Sequence, residues 1–302
     1  MNAIFHYPVY LGVRLVWLIV SLIPARRAYG LGAGAGRLFF GLAGSRRRVA
    51  VDNILQAGLA ADHAAAVRLA RASMAHFLGH ILEGLKVPAF MTPAHMAANV
   101  AVEMPEATRV LLEDPRQPVL ILTPHLGSWE VGVRFVTARK PAITLASTFA
   151  NPWVQRFSER HFRGGFEVHP KKRGLSPDLI RRWGEGRAFV LLADQHAGKH
   201  GIWIDFFGRP ACTHTSPARL HLRTGYPIVV GAFLRTGPLR YRVVASAPIA
   251  FERTGDRERD TAALLREINR QFESMIRLAP EQYLWAHRRW RPKPAAGRRR
   301  RF

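Results

Sequence analysis

Cysteine is nearly absent from this 302-residue chain, with Cys212 standing alone. A disulfide within the chain is therefore impossible, and a cysteine-based metal cluster is excluded. Carboxylates are also scarce: Asp and Glu total 21 against 45 Lys and Arg, a formal charge of +24. Such a surface favours polyanions, whether nucleic acid, anionic lipid, phosphorylated substrates or an acidic carrier protein. GC-rich coding also raises arginine, so charge alone selects no partner. No fixed-period repeat is present. Zinc, helix-turn-helix and RNA-binding signatures are missing too, so a nucleic-acid partner is not expected. What is abundant is apolar: hydrophobic residues make up 48%, enough for a sizeable core and too much for a disordered chain.

The N-terminus bears on compartment. Tyr7 to Ala25 holds a single charge, Arg14, over about 19 residues, close to the ~20 that span a bilayer. Arg26, Arg27, Arg37 and Arg46 to Arg48 follow it. Positive charge on that side places it in the cytoplasm. A signal peptide has its charges before the apolar stretch, so residues 1–30 are expected to form an uncleaved anchor. The rest of the chain then lies on the cytoplasmic face of the inner (plasma) membrane. Pro8, Pro24 and Arg14 leave open a helix lying in the interface or packed on the core. Leu31 to Ala43 (LGAGAGRLFFGLA) reads equally as more membrane-facing surface or as a helix on the core. The catalytic domain is expected over 31–291. The basic tail, 292–302, is expected to be disordered around Arg298–Arg301.

Asp62 to Val87 repeats apolar residues at three- and four-residue steps and predicts a long helix closed by Pro88. From Pro118 the pattern changes. Val119–Leu122, Ile143–Ala146, Ala188–Ala193, Ile228–Leu234 and Tyr241–Ala247 read as strands. Glu130–Ala138, Trp153–Phe162, Leu175–Trp183 and Asp260–Leu278 read as helices. This alternation predicts an α/β fold with a mixed, mostly parallel sheet flanked by helices.

Val119-Leu-Ile-Leu-Thr-Pro-His125-Leu-Gly-Ser-Trp-Glu130 holds the chemistry. His125 follows a strand, and ligands in open α/β sheets bind at the C-terminal ends of strands. Across a tight turn, Glu130 could accept a hydrogen bond from one imidazole nitrogen, fixing the tautomer. The other nitrogen would then take a proton from a hydroxyl. The spacing itself is weak evidence, because chance gives roughly one His-x4-acid match in such a chain. His200…Asp205 shares it, in a Gly- and Lys-containing loop with no strand of its own before it. Ser128 invites a hydrolase reading, but Leu126-Gly-Ser-Trp-Glu130 lacks the Gly-x-Ser-x-Gly elbow.

The chain resembles the lipid A biosynthesis late acyltransferases, the lauroyl- and myristoyl-transferase type, within the lysophospholipid and glycerolipid acyltransferase superfamily. His125 with Glu130 is similar to the superfamily's His-x4-acid signature. Arg173–Gly174 resembles the second block. Ala193-Asp-Gln-His196, Ile204-Asp-Phe-Phe-Gly208 and Thr213 resemble the third, and Pro227-Ile-Val-Val the fourth. Pro280-Glu-Gln-Tyr-Leu-Trp-Ala-His-Arg-Arg-Trp-Arg291 resembles the C-terminal signature, and Arg46-Arg-Arg-Val-Ala-Val-Asp-Asn53 the N-terminal one. The resemblance implies a glycerolipid acyltransferase-like fold. It implies acyl carrier protein as donor and a phosphorylated, Kdo-bearing disaccharide lipid as acceptor. A lysophospholipid, aminolipid or glycolipid acyltransferase using acyl-CoA remains the alternative.

On this reading His125 deprotonates the acceptor hydroxyl and Glu130 orients and charge-balances it. Backbone N–H groups and Arg173 stabilise the oxyanion, with no metal, cofactor or covalent intermediate required. Arg173, Asp194 and Gln195 are the candidate substrate-binding residues. Asp194 would orient a substrate hydroxyl or neighbouring backbone, and Arg173 would hold a phosphate or the thioester. Phe206–Phe207 is expected in the core. Thr213, Thr215 and Ser216 are expected to cap a helix near Pro217. His287–Arg291 is expected to pack its tryptophans and present arginines to headgroups.

Overall fold

The computed structural model describes residues 6–162, 165–170, 175–198 and 201–291. Arg173, His200 and the tail Arg298–Arg301 lie outside the described residues.

Six helices come first: α1 (His6–Leu22), α2 (Ala25–Leu42), α3 (Gly44–Gln56), α4 (His63–Gly84), α5 (Val87–Phe90) and α6 (Pro93–Asn99). Strands and helices then alternate: β1 (Val100–Glu103), α7 (Glu106–Glu113), β2 (Val119–Thr123), α8 (Trp129–Thr137), β3 (Ala142–Ala146), α9 (Pro152–Phe162), β4 (Glu167–Pro170), α10 (Pro177–Gly184) and β5 (Ala188–Leu192). A hairpin, β6 (Gly201–Phe206) and β7 (Arg209–His214), precedes α11 (Ser216–Thr224), β8 (Ile228–Gly237), β9 (Arg240–Ala245) and α12 (Arg257–Leu278).

Among the described residues the main sheet has seven strands in the order β1-β9-β8-β2-β5-β3-β4. Every neighbouring pair is parallel except β8–β9. The mixed, mostly parallel sheet expected from the sequence is therefore present. Alternate side chains face opposite sides of a strand, so β2 feeds two cores. Leu120 and Leu122 join one with α3, α11 and α12. Val119 and Ile121 join the other with Val131 and Phe135 of α8. The unexpected strands β1 and β4 are the sheet's edges, four residues each and mostly unburied, so they lack an apolar pattern. The β6–β7 hairpin turns through Phe207 and Gly208, both at positive φ, as a two-residue hairpin turn requires. Asp205 thus sits in a strand rather than a loop, and Phe206 and Phe207 are buried as expected.

The N-terminus differs from the single helix expected over Tyr7–Ala25. Pro24 has no N–H to continue a helix, and between α1 and α2 the chain bends by 119°. Among the described residues no single helix is long and apolar enough to cross a membrane, though the bent pair together has the length and composition. The rings of Tyr10 and Trp17 pack on Phe157 of α9, while Leu15, Val16, Leu18, Ile19 and Leu22 are exposed. Of the two readings of Leu31–Ala43, packing on the core holds for one face of α2. Gly32 and Gly36 press on α4, where a Cβ would lie 2.4 and 2.5 Å from the Leu78 and Met74 carbonyl oxygens. Leu31, Leu38, Phe39 and Leu42 face outward.

Chain ends far apart in sequence are tied together. The Asn53 side-chain amide donates to the carbonyls of Trp285 and His287, 2.8 Å each. Arg46 donates to Ala286 O at 3.2 Å. The C-terminal strap, residues 280–291, is thereby held against α3 and runs past the end of β2, where Leu284 N–H donates to His125 O.

Candidate active site

β2 and β5 are parallel neighbours, with Thr123 opposite Leu192. Two residues further on, both chains leave the sheet at its C-terminal edge, so His125 and Asp194 arrive side by side. Asp194 Oδ1 lies 2.6 Å from His125 Nδ1, and Asp194 Oδ2 accepts the His125 backbone N–H at 3.1 Å. Asp194 is 2% exposed. Burial raises its pKa, but the His125 charge and hydrogen bonds outweigh it and hold the carboxyl at about 2. An ionised carboxylate on Nδ1 makes that nitrogen the donor and leaves Nε2 as the basic position. The Gln195 side-chain amide lies 3.2 Å from Nε2, so this expected substrate-binding residue stands beside that nitrogen. Asp194 gives one oxygen to the His125 ring and the other to the His125 backbone N–H, so of its two expected roles the structure shows the one toward neighbouring backbone.

The spacing of His125 and Glu130 suggested that Glu130 would orient the imidazole. Asp194 holds Nδ1 instead, and Glu130 turns to α4. Glu130 Oε2 lies 3.2 Å from His80 Nδ1, close but without hydrogen-bond alignment. The carboxylate rests on Gly84, where a Cβ would meet Glu130 Cδ at 2.8 Å. The reason is helical. Glu130 lies in the first turn of α8, and its side chain leaves on the face packed against α4. The Trp129 ring stands between, 3.9 Å from the His80 ring and 5.6 Å from that of His125.

The turn between them is built by Gly127, at φ +71°, where a Cβ would lie 2.1 Å from Phe233 O. No other residue fits there. The backbone N–H groups expected to stabilise an oxyanion are engaged through this turn. His125 donates to Asp194, Leu126 to Pro124, Gly127 to Gln282 and Ser128 to Phe233. The next amides, of Trp129, Glu130 and Val131, open α8 and have no acceptor within it.

A family model, described as bacterial lipid A biosynthesis acyltransferase, matches residues 3–292. The chain belongs to the bacterial lipid A biosynthesis acyltransferase family. It is similar to a phosphatidylinositol mannoside acyltransferase of Mycolicibacterium smegmatis, 30% identical over 225 residues and 71% of each chain. It is also similar to the lipid A biosynthesis lauroyltransferase of Escherichia coli, 22% identical over 297 residues, 96% of this chain and 93% of the relative. A lipid A biosynthesis acyltransferase of Haemophilus influenzae is 23% identical over 174 residues, 55% of this chain and 52% of the relative. The protein is thus an O-acyltransferase whose acceptor is a lipid.

In this acyltransferase several site neighbours had no local signal. The His196 backbone N–H donates to His287 Nε2 at 3.1 Å. His287 is therefore neutral with its proton on Nδ1, and burial, chiefly, brings its pKa down to about 4. The buried Tyr283 phenol is raised well above its ordinary value by burial and by Asp194. Arg289 is buried rather than presented to headgroups, donating to Cys212 O at 2.6 Å and Thr213 Oγ1 at 2.8 Å. Arg288 and Arg291 are exposed. Thr213 is therefore an arginine acceptor, and Thr215 starts α11 with no side-chain cap bond. On α4, His76, His80 and Glu83 share one buried face at helical spacing. Glu83 binds Arg235 at 3.0 Å and accepts from the Tyr241 hydroxyl at 2.9 Å. The spacing of these three was visible in the sequence, but only as part of an amphipathic helix.

Proposed function

We propose that this enzyme transfers a fatty acyl chain from acyl carrier protein to a hydroxyl of a phosphorylated lipid A precursor. His125 is the general base and Asp194 its orienting carboxylate. The observation that carries this is the 2.6 Å contact between His125 Nδ1 and a buried, ionised Asp194 at the ends of β2 and β5. His125 Nε2 takes the proton of the acceptor hydroxyl as its oxygen attacks the thioester carbonyl. The C–O bond forms, the C–S bond breaks, and the proton passes from His125 to the leaving thiolate. Asp194 stabilises the imidazolium between these steps. The Gln195 amide and the open amides of α8 supply donors for the oxyanion. Glu130 serves as a positioning residue, clamping the first turn of α8 to α4 through His80 and Gly84. Arg173 remains a candidate for the donor's phosphate.

The family and its lipid A relatives favour the lipid A precursor. The mycobacterial relative's name keeps a phosphoinositol glycolipid as the second reading. The acidic carrier suits a chain of charge +24. The exposed apolar faces of α1 and α2 suit insertion into the inner face of an anionic plasma membrane. Phe149, Trp153 of α9 and Leu192 at the end of β5 are exposed as well, and the Trp153 ring packs on Tyr7 and Tyr10 of α1.

The test is mass spectrometry of lipids from cells with and without the gene, complemented by wild type or by His125→Ala. Wild type restores one acyl chain to the acceptor and His125→Ala does not. Near-normal turnover by His125→Ala refutes the mechanism. Competition between acyl carrier protein and CoA thioesters on purified enzyme identifies the donor.

A further inference from the structure

A cavity of about 580 Å³ lies between α2, α4 and the 281–282 segment, lined by Tyr29, Arg37, Arg68, Arg71, His76 and Gln282 among others. Its cations are unusual in being unspent. Arg235, on its wall, is neutralised by the buried Glu83. Among the described residues Arg37, Arg68 and Arg71 make no ion pair and no hydrogen bond, and Glu281 is the only carboxylate in the lining. Three guanidinium groups round one concavity match the geometry of a phosphate, whose oxygens accept paired N–H donors.

The cavity's position ties it to both the site and the membrane. On the inner side, the Tyr29 hydroxyl meets His76 Nδ1 at 3.1 Å and His76 Nε2 faces Gly127 O at 3.4 Å. The Gly127 N–H donates to Gln282 O. The cavity wall therefore bonds directly to the turn that presents His125, two residues or roughly 7 Å of chain away. On the outer side, Arg37 is followed at once by Leu38 and Phe39, which with Leu31 and Leu42 form the exposed apolar face of α2. Arginine flanking an apolar helix face marks the depth of lipid phosphates.

We propose that this cavity binds the phosphate group of a membrane lipid, seating a phosphorylated acceptor headgroup beside the turn that holds His125. Assigning that lipid as the acceptor rests on the acyl-transfer reading above; the phosphate site itself does not. The three arginines lie on two helices held in contact by Gly32 and Gly36, so the cavity is preformed and needs no closure.

The test uses the full chain and vesicles of phosphatidylcholine, alone or with added phosphatidic acid, and no acyl donor. Both wild type and Arg68→Ala/Arg71→Ala bind neutral vesicles equally, through α1 and α2. Phosphatidic acid tightens wild-type binding, and the double variant loses on the order of tenfold of that gain. Arg68→Lys/Arg71→Lys keeps part of it. Arg116→Ala/Arg266→Ala, which removes the same charge at two exposed sites outside the cavity, keeps it all. Equal losses in the two alanine pairs would mean diffuse charge and overturn the proposal. So would a double variant that loses calorimetric binding of inorganic phosphate yet keeps the vesicle gain, since the cavity would then serve a soluble phosphate. In transfer assays the double variant raises KM for the acceptor with kcat within a few-fold. Wild type that shows the vesicle gain but transfers no acyl chain defeats the acyl-transfer reading and leaves the phosphate site standing.

Discussion

Glu130 faces His80 of α4 at 3.2 Å, and not the imidazole five residues before it in the chain. Among the described residues neither nitrogen of His80 has a hydrogen-bond partner, and its ring is 1% exposed. The contact joins the first turn of α8 to α4 at the level of Trp129, which touches both histidines. The His-x4-Glu pair here makes two separate attachments, one to Asp194 just after β5 and one to His80 of α4.

From this geometry Glu130 and His80 act as a unit. Glu130→Gln and His80→Phe each lower kcat, and the double variant loses less than the sum of the two. A coupling of about 1 kcal/mol is expected for such a contact. Strict additivity in kcat/KM across the cycle would show that Glu130 acts elsewhere.

Asp194→Asn exposes the tautomer requirement. An amide can donate to Nδ1 and so favours the imidazole with its proton on Nε2, which cannot act as base. The loss expected is about 10³-fold or more in kcat, with KM little changed. Circular dichroism checks that the variant is folded. Activity within tenfold of wild type would remove Asp194 from the mechanism.

Acid stability should report His76 and His287. Burial, with the neighbouring His80 charge, brings His76 down to about 3, and His287 is down to about 4. Both bind protons more weakly folded than unfolded, where the value is near 6.5. Their contribution is therefore complete above pH ~6.5 and shrinks as pH falls toward 4 and 3. Urea unfolding at a series of pH values should show stability falling through this window. Asp194, at about 2, is lowered from its ordinary value and adds a loss only at more acid pH, below ~4. His76→Phe should flatten the slope between pH 6.5 and 4 by up to one proton, even though it costs stability at neutral pH. An unchanged slope contradicts the assignment.

Gly127→Ala meets two obstacles at once: positive φ and the Phe233 carbonyl. Relief requires the turn to move away from β8, carrying His125 off Asp194. A loss of about 3 kcal/mol or more in stability is expected, measured by denaturant unfolding, together with loss of transfer. A soluble variant with normal thermal midpoint and activity would refute the packing described.

The C-terminal strap depends on Asn53. Asn53→Ala removes both hydrogen bonds to the strap and leaves two carbonyls without them, for a cost of about 2 kcal/mol. Since Leu284 and Gln282 touch the His125 turn, activity should fall as well. Asn53→Asp, which cannot donate, should behave as badly as alanine. Full activity in Asn53→Asp would show that the strap holds without it.

Much was legible in the chain. The strand through Val119–Thr123, the turn and the helix after it follow from an apolar run, a Pro-His-x-Gly break and 3.6-residue periodicity. His125 at a strand end follows from these local facts. So does Asp194, which ends the apolar run Ala188–Ala193. Less was legible where burial was incomplete. The edge strands Val100–Glu103 and Glu167–Pro170 show no pattern because little of them is covered. The hairpin was hidden because Phe207 takes a positive φ normally left to Gly or Asn.

What the sequence by itself determined is the well-buried strands, the longer helices after Pro118 and the position of His125 among them, because hydrophobic periodicity and turn chemistry act over a few residues. What only the tertiary structure decided is which carboxylate serves the histidine. Asp194 reaches His125 because the parallel register sets Thr123 beside Leu192, and Glu130 is drawn to His80 because α4 packs over α8's first turn. Both outcomes depend on how distant segments are stacked, and spacing along the chain carries no record of that.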